Sequence, residues 1–263
     1  MGKKWIRLLS MALCLTIPLG YAALAADMAP PDGMMGPPPG GDMGAGGPPP
    51  GGSAPTNAAI VITDGAEDTA AEYEPGAYAG QIKAGDGMLT IDGLELSSGD
   101  YTFNGLVVSG SDSVVRLQKS SIVLGVDTEA TDDDTGGAAV NLDNGAPLYI
   151  SDSDLTVDGA ARYVTANYND ATLIVNHATV TSTGSNEYTA GVSEPFSNEA
   201  LLISGTARAN FSIGATKTYY YDSVCTAEGW AALSTDSATG DGLDLYAYNT
   251  EGVAQNGGYS TYA

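Results

Sequence analysis

An all-β solenoid is the fold this sequence predicts, each turn of chain stacked on the one before it, and three observations predict it. First, a twelve-residue pattern aligns without a gap at Leu148-Tyr-Ile-Ser-Asp-Ser-Asp-Leu-Thr-Val-Asp-Gly159, Leu173-Ile-Val-Asn-His-Ala-Thr-Val-Thr-Ser-Thr-Gly184 and Thr218-Tyr-Tyr-Tyr-Asp-Ser-Val-Cys-Thr-Ala-Glu-Gly229. Second, each unit has two inward-type positions spaced two apart, a short polar bend, two more inward positions and then Gly. Alternation with period two makes each half a strand, and the bend turns the chain without closing a hairpin. Third, the same offsets carry aliphatic side chains in successive units: Val115, Leu117, Ile122 and Leu124, then Leu148, Ile150, Leu155 and Val157, then Leu173, Val175 and Val180. A unit that cannot bury its apolar side alone, repeated every few dozen residues, builds one shared core by stacking.

From the N-terminus, residues 1–26 read as an export signal. Lys3, Lys4 and Arg7 form a charged start, an apolar run follows from Leu8 to Ala23, and Ala23-Leu24-Ala25 supplies the small residues of a cleavage site. Pro18 and Gly20 interrupt the run and no basic stop-transfer residues follow it. Cleavage is therefore expected in preference to a membrane anchor, leaving no integral membrane segment and an extracellular or cell-surface location. Residues 27–57 are rich in Pro, Gly and Met and nearly free of β-branched and aromatic side chains. Such a segment cannot bury enough apolar surface to offset ordering, so a disordered tether is expected.

Residues 58–263 are expected to supply roughly six or seven coils. Leu89-Thr-Ile-Asp-Gly-Leu-Glu-Leu96 is a shorter relative of the pattern, and Val115-Arg-Leu-Gln-Lys-Ser-Ser-Ile-Val-Leu-Gly125 fits with one residue fewer before its Gly. Loops leave the coil at 127–137 and 186–198. Leu245-Tyr-Ala-Tyr-Asn-Thr250 opens a further coil with no terminal helix or polar cap after it, so continuation in a longer protein is expected.

The pattern, closest at Tyr220-Tyr-Asp-Ser-Val-Cys-Thr-Ala-Glu-Gly-Trp230 and the residues to 236, resembles the right-handed parallel β-helix proteins of bacterial envelopes, the secreted, adhesin-like or uncharacterised members. The resemblance covers residues 85 to 263. It implies a single-stranded right-handed parallel β-helix, in line with the usual hand of such crossovers. It implies little about activity, because such coils host lyases, hydrolases, adhesins and inert stalks alike.

Charge bounds the partners. The chain has 32 acidic and nine basic residues, a formal net charge of −23, and the signal removes only bases. There is no basic stripe, so nucleic acid is an unsuitable partner, and anionic membrane surfaces are disfavoured. Once the signal and its Cys14 are gone, Cys225 stands alone, so no internal disulfide is possible. Its alignment with Leu155 and Val180 places it in the interior as a small hydrophobe.

Catalytic machinery is not legible. Pectin hydrolases of this architecture combine paired aspartates with Gly-His-Gly and Arg-x-Lys; here the one His, His177, sits in Asn176-His-Ala and the nearest basic pair is Arg116-Leu-Gln-Lys119. Calcium favours clustered oxygen donors, and Asp132, Asp133 and Asp134 are the candidate ligands, although a solvated acidic loop is the favoured reading of this run. No other cofactor is implied.

One surface is informative. The outward positions are Arg116 and Gln118, Tyr149 and Ser151, Ile174 and Asn176, Tyr219 and Tyr221, then Tyr246 and Tyr248. Flat aromatic faces spaced along a coil suit sugar rings, so Tyr219, Tyr221, Trp230, Tyr246 and Tyr248 are the candidate carbohydrate-binding residues. The competing reading is an aromatic ladder that only stabilises the sheet. The function expected is a non-enzymatic, adhesin-like or carbohydrate-contacting surface module. The alternatives are a polysaccharide lyase-like enzyme whose catalytic coil lies elsewhere and a structural stalk.

Overall fold

The computed structural model describes residues 57–67, 77–126, 136–159, 162–183, 197–198, 203–204, 207–229, 231–236, 242–255 and 259–262. All of them belong to the second of two units into which the chain divides, Gly44–Ala263; the first is Met1–Met43. The described residues form strands and turns without helix, and none of them forms a helix long and apolar enough to cross a membrane.

The chain passes repeatedly through three sheets in a fixed order. The first pass comprises β1 (Ala58–Thr63), two short strands β2 (Ala66–Glu67) and β3 (Ile82–Gly85), then β4 (Met88–Asp92) and β5 (Glu95–Ser98). The second is β6 (Asn104–Ser109), β7 (Val115–Gln118) and β8 (Ser121–Leu124); the third is β9 (Val140–Asp143), β10 (Pro147–Ser151) and β11 (Asp154–Asp158). The fourth is β12 (Tyr163–Asn167), β13 (Thr172–Asn176) and β14 (Thr179–Thr183), followed by a small antiparallel pair, β15 (Ser197–Asn198) and β16 (Ile203–Ser204). The fifth is β17 (Arg208–Ile213), β18 (Lys217–Tyr221) and β19 (Val224–Ala227). The sixth is β20 (Ala231–Asp236), β21 (Asp244–Tyr248) and β22 (Glu251–Ala254), with β23 (Tyr259–Tyr262) beginning another.

Strands from successive passes pair in parallel. The first sheet runs β1-β6-β9-β12-β17-β20-β23, the second β4-β7-β10-β13-β18-β21 and the third β5-β8-β11-β14-β19-β22. The result is a solenoid-like β fold. Within these three sheets, among the described residues, β2 against β1 and β3 against β4 break the parallel rule, as antiparallel strands at the first-pass edge.

The repeat read from the sequence corresponds to the second and third sheets. Leu148 lies between Val115 and Leu173, Ile150 between Leu117 and Val175, and Leu155 between Ile122 and Val180. All of these are buried in one core cluster. The sequence reading contains two strands per unit, whereas the structure has three. The additional strand lies in the first sheet, where β6, β9 and β12 are buried along their whole length. A strand buried on both faces shows no alternation of polar and apolar residues, so the period-two signal is missing there.

The interior also changes character along the stack. Early passes line it with Ile60, Ile62, Leu106, Val108, Val140 and Leu142. In later passes Thr165 and Asn167, in register with Val140 and Leu142, take those positions. The Thr165 hydroxyl lies 2.9 Å from the Tyr220 hydroxyl and donates to Asn210 Oδ1 at 3.0 Å. Burial raises the Tyr220 phenol well above its usual value, so it stays a neutral hydrogen-bonding group.

Cys225 stacks on Val180 in this interior and is fully buried. Burial pushes its thiol from 9.0 up to about 12. The folded chain thus holds a proton that the unfolded chain releases, and this contribution to stability is complete below pH 9 and lost as pH rises toward 12. Iodoacetamide at mildly alkaline pH should leave the folded protein unmodified and alkylate Cys225 stoichiometrically once urea unfolds it. Rapid labelling of the folded chain, read by intact mass, would contradict the interior position.

Candidate functional site

The outer face of the second sheet is built by period two. In β7, β10, β13 and β18 every second residue enters the core, so the intervening residues face solvent. Parallel register then aligns them in two columns. The first is Thr90, Arg116, Tyr149, Ile174, Tyr219 and Tyr246. The second is Asp92, Gln118, Ser151, Asn176, Tyr221 and Tyr248.

The tyrosines are presented on the surface. Tyr246 is 55% and Tyr248 69% exposed, Tyr149 and Tyr221 are each 37% exposed, and Tyr219 is partly buried. The Tyr219 and Tyr246 rings stack with centroids 5.3 Å apart and planes within 4° of parallel. Parallel stacking of this kind leaves the end ring's outer face open, a flat apolar platform with a polar rim. Further along the same face, Arg116, Gln118, Tyr149, Ser151, Ile174 and Asn176 line a shallow depression of about 270 Å³.

A second row of polar groups runs beside the tyrosines, and the bend between the second and third sheets creates it. At this bend each pass has a residue with left-handed backbone: Gly93, Lys119, Asp152, His177, Asp222 and Asn249, the non-glycines with φ of 47–51°. Asp, Asn and His tolerate that conformation better than other side chains. The next residue is often a buried serine that locks the turn. Ser153 Oγ accepts from Ser120 N at 3.1 Å and donates to Ser151 O at 2.7 Å; Ser223 Oγ accepts from Ala178 N at 3.1 Å and donates to Tyr221 O at 2.7 Å. These bonds tie each bend to the pass before it, so the bend side chains project in a fixed row.

Within that row Asn249 Nδ2 donates to Asp222 Oδ1, and His177 Nε2 lies 3.9 Å from Asp222 Oδ2. Asn176 Nδ2 is 3.3 Å from His177 Nδ1. Aromatic faces therefore stand beside a strip of amide, carboxylate and imidazole groups, the combination that a ring with an apolar face and equatorial hydroxyls requires.

Of the residues singled out in the sequence, Tyr219, Tyr221, Tyr246 and Tyr248 come together on this face. Trp230 and the acidic run Asp132, Asp133 and Asp134 lie outside the described residues. Among the described residues no three His, Cys, Asp or Glu side chains are grouped closely enough to hold a metal ion. The sequence reading aligned His177 with Asp152 but left the bend row unread. Its signal was present in Asp, His, Asp and Asn at one offset of successive units. No protein-family model, curated protein or solved structure matches the chain.

Proposed function

We propose that this protein is an exported, single-stranded, right-handed parallel β-helix that serves as a non-enzymatic, adhesin-like surface module and holds carbohydrate on the outer face of its second sheet. One observation carries the reading: two adjacent strands present Tyr219 and Tyr221, then Tyr246 and Tyr248, in register on a solvent-facing surface. An aromatic ladder that only stabilised the sheet would gain most by being covered, whereas Tyr246 and Tyr248 are among the most exposed large side chains. Sugar C–H faces pack on the rings while hydroxyls reach Asn176, Asp222 and Asn249. The non-enzymatic part rests on the missing hydrolase spacings around His177 and Arg116. The right hand rests on the general preference of parallel crossovers.

The test compares wild type with Tyr219→Ala/Tyr246→Ala on a panel of immobilised polysaccharides. At about 0.5–1.5 kcal/mol per aromatic platform, losing both rings should weaken binding roughly fivefold to a hundredfold. The thermal transition should move little, since both side chains are solvent-facing. Undiminished retention of the variant, or no polysaccharide bound by wild type, would leave a structural stalk as the function.

A further inference from the structure

We propose that the carbohydrate held by this face is an anionic polysaccharide, its acidic groups paired with Arg116 beside Tyr149 and Lys217 beside Tyr219; this rests on the carbohydrate reading above. Nine basic residues stand in the whole sequence, three of them in the first seven positions. Of the other six, Arg162 and Arg208 are buried. The remaining four, Lys83, Arg116, Lys119 and Lys217, are all exposed, and all belong to the second sheet or its bend.

Two of them stand beside a tyrosine. Arg116 is the in-register neighbour of Tyr149, directly across one strand pair. Lys217 precedes Tyr219 by two residues on β18 and so shares its face. Lys83 on β3 pairs with Thr90, extending the first column past Arg116, and Lys119 occupies the left-handed bend position after Gln118. Each cation–tyrosine pair offers one ring platform and one positive charge within the reach of a single sugar unit. Tyr149 on β10 and Tyr219 on β18 are separated by β13, two strand spacings or about 10 Å, so the two pairs would meet different sugar units of one chain.

None of the four has a carboxylate within salt-bridge distance among the described residues. That is unexpected in a chain with 32 acidic residues. Carboxylates do share the face: Asp92 and Asp244 on the strands, Asp152 and Asp222 at the bend. They bring the local balance near neutrality, and although Asp244 stands in register with Lys217, none of the four cations is in salt-bridge contact among the described residues. The outer face of the third sheet is different, with Glu95, Asp154, Asp158 and Glu251 and no cation. The chain's overall charge of −23 does not forbid an anionic ligand, because at physiological ionic strength a charge senses others only within about 8 Å. A polyanion lying across Tyr149 or Tyr219 has Arg116 or Lys217 as a neighbouring charge.

The experiment uses the full mature chain and three probes: polygalacturonate for carboxylate, dextran sulfate for sulfate and dextran as the neutral polymer. Wild type should bind at least one anionic polymer, lose affinity steeply with added salt, and ignore dextran. Arg116→Gln/Lys217→Gln should weaken that binding about tenfold or more, at about 1.4 kcal/mol per tenfold step, and flatten its salt dependence with the thermal transition unchanged. Selective binding of dextran sulfate would keep the proposal and assign sulfate as the anion. Equal binding of dextran, unaffected by the charge variant, would overturn it while leaving the carbohydrate reading intact. No binding to any glycan would overturn both. Polyanion binding that persists in Tyr219→Ala/Tyr246→Ala would be simple ion exchange and would also overturn it.

Discussion

Replacing Arg162 by Met is expected to cost about 3–5 kcal/mol of stability, the range for stranding the partners of a buried charged group. Arg162 is fully buried, and its guanidinium is surrounded by main-chain oxygens. Nε donates to Gly137 O at 2.8 Å, Nη1 to Gly125 O at 2.9 Å and Asp158 O at 3.1 Å, and Nη2 to Phe103 O at 3.2 Å. These carbonyls belong to the second and third passes, while Arg162 itself opens the fourth, so one side chain ties three passes together at the corner between the third and first sheets. The Tyr101 ring lies 5.4 Å away, in cation–π range.

Burial lowers the Arg162 pKa to about 10, with Tyr101, Asp158 and Asp100 holding it up, and the group stays charged at neutral pH. Met would fill much of the volume yet remove the donor from four carbonyls, of which the Gly137 bond is buried and the other three are part-buried, so the loss stays below four times the about 1–3 kcal/mol of a fully buried orphan. Lys should recover only part of the loss, because an ammonium cannot reproduce the planar fork. The corner also dictates glycine nearby. A Cβ at Gly137 would fall on the Phe103 carbonyl, and Gly159, at φ 129°, lies against the Arg162 stem and the Tyr101 ring. Urea unfolding checks the expectation; a loss below about 1 kcal/mol for Arg162→Met would mean that water replaces the guanidinium at little cost.

Leu148→Ala should cost about 2–5 kcal/mol, while the equivalent Leu245→Ala should cost no more than about 1 kcal/mol. The two leucines occupy the same offset of the repeat. Leu148 has Val115 on one side and Leu173 on the other and no exposed surface, so truncation leaves a cavity with walls on both sides. Leu245 is only partly buried and, among the described residues, has a register neighbour on one side, Thr218. In a stacked coil, stability is the sum of each pass and its neighbour contacts, so cost should follow the number of flanking passes. Equal losses at the two positions, again by urea unfolding, would show that the interior is not shared in this way.

Much of this fold was legible because its signal is local. Leu148, Ile150, Leu155 and Val157 announce two strands and a bend by alternation alone, and identical offsets in the next unit announce the stack. The face that carries the tyrosines follows from the same rule: once Tyr220 and Cys225 point inward, Tyr219 and Tyr221 must point outward. The polar bend was readable as a turn but not as a row, because left-handed residues as different as Lys119, Asp152 and His177 share a backbone conformation and not a chemistry.

Sequence alone thus determined the period, the inward and outward sides of two sheets, and the pairing of tyrosines across β18 and β21. Tertiary structure decided the rest. The central strands of the first sheet, β6, β9 and β12, are buried along their whole length and have no alternation to read. The convergence of Arg162 on carbonyls from Phe103 to Asp158 depends on how far each corner excursion carries the chain before it returns. That all four exposed cations among the described residues, Lys83, Arg116, Lys119 and Lys217, fall on the second sheet or its bend is likewise invisible in a composition dominated by carboxylates. Stacking brings residues far apart in the chain to within one strand spacing, and the connecting segments that set which residues meet carry no period of their own.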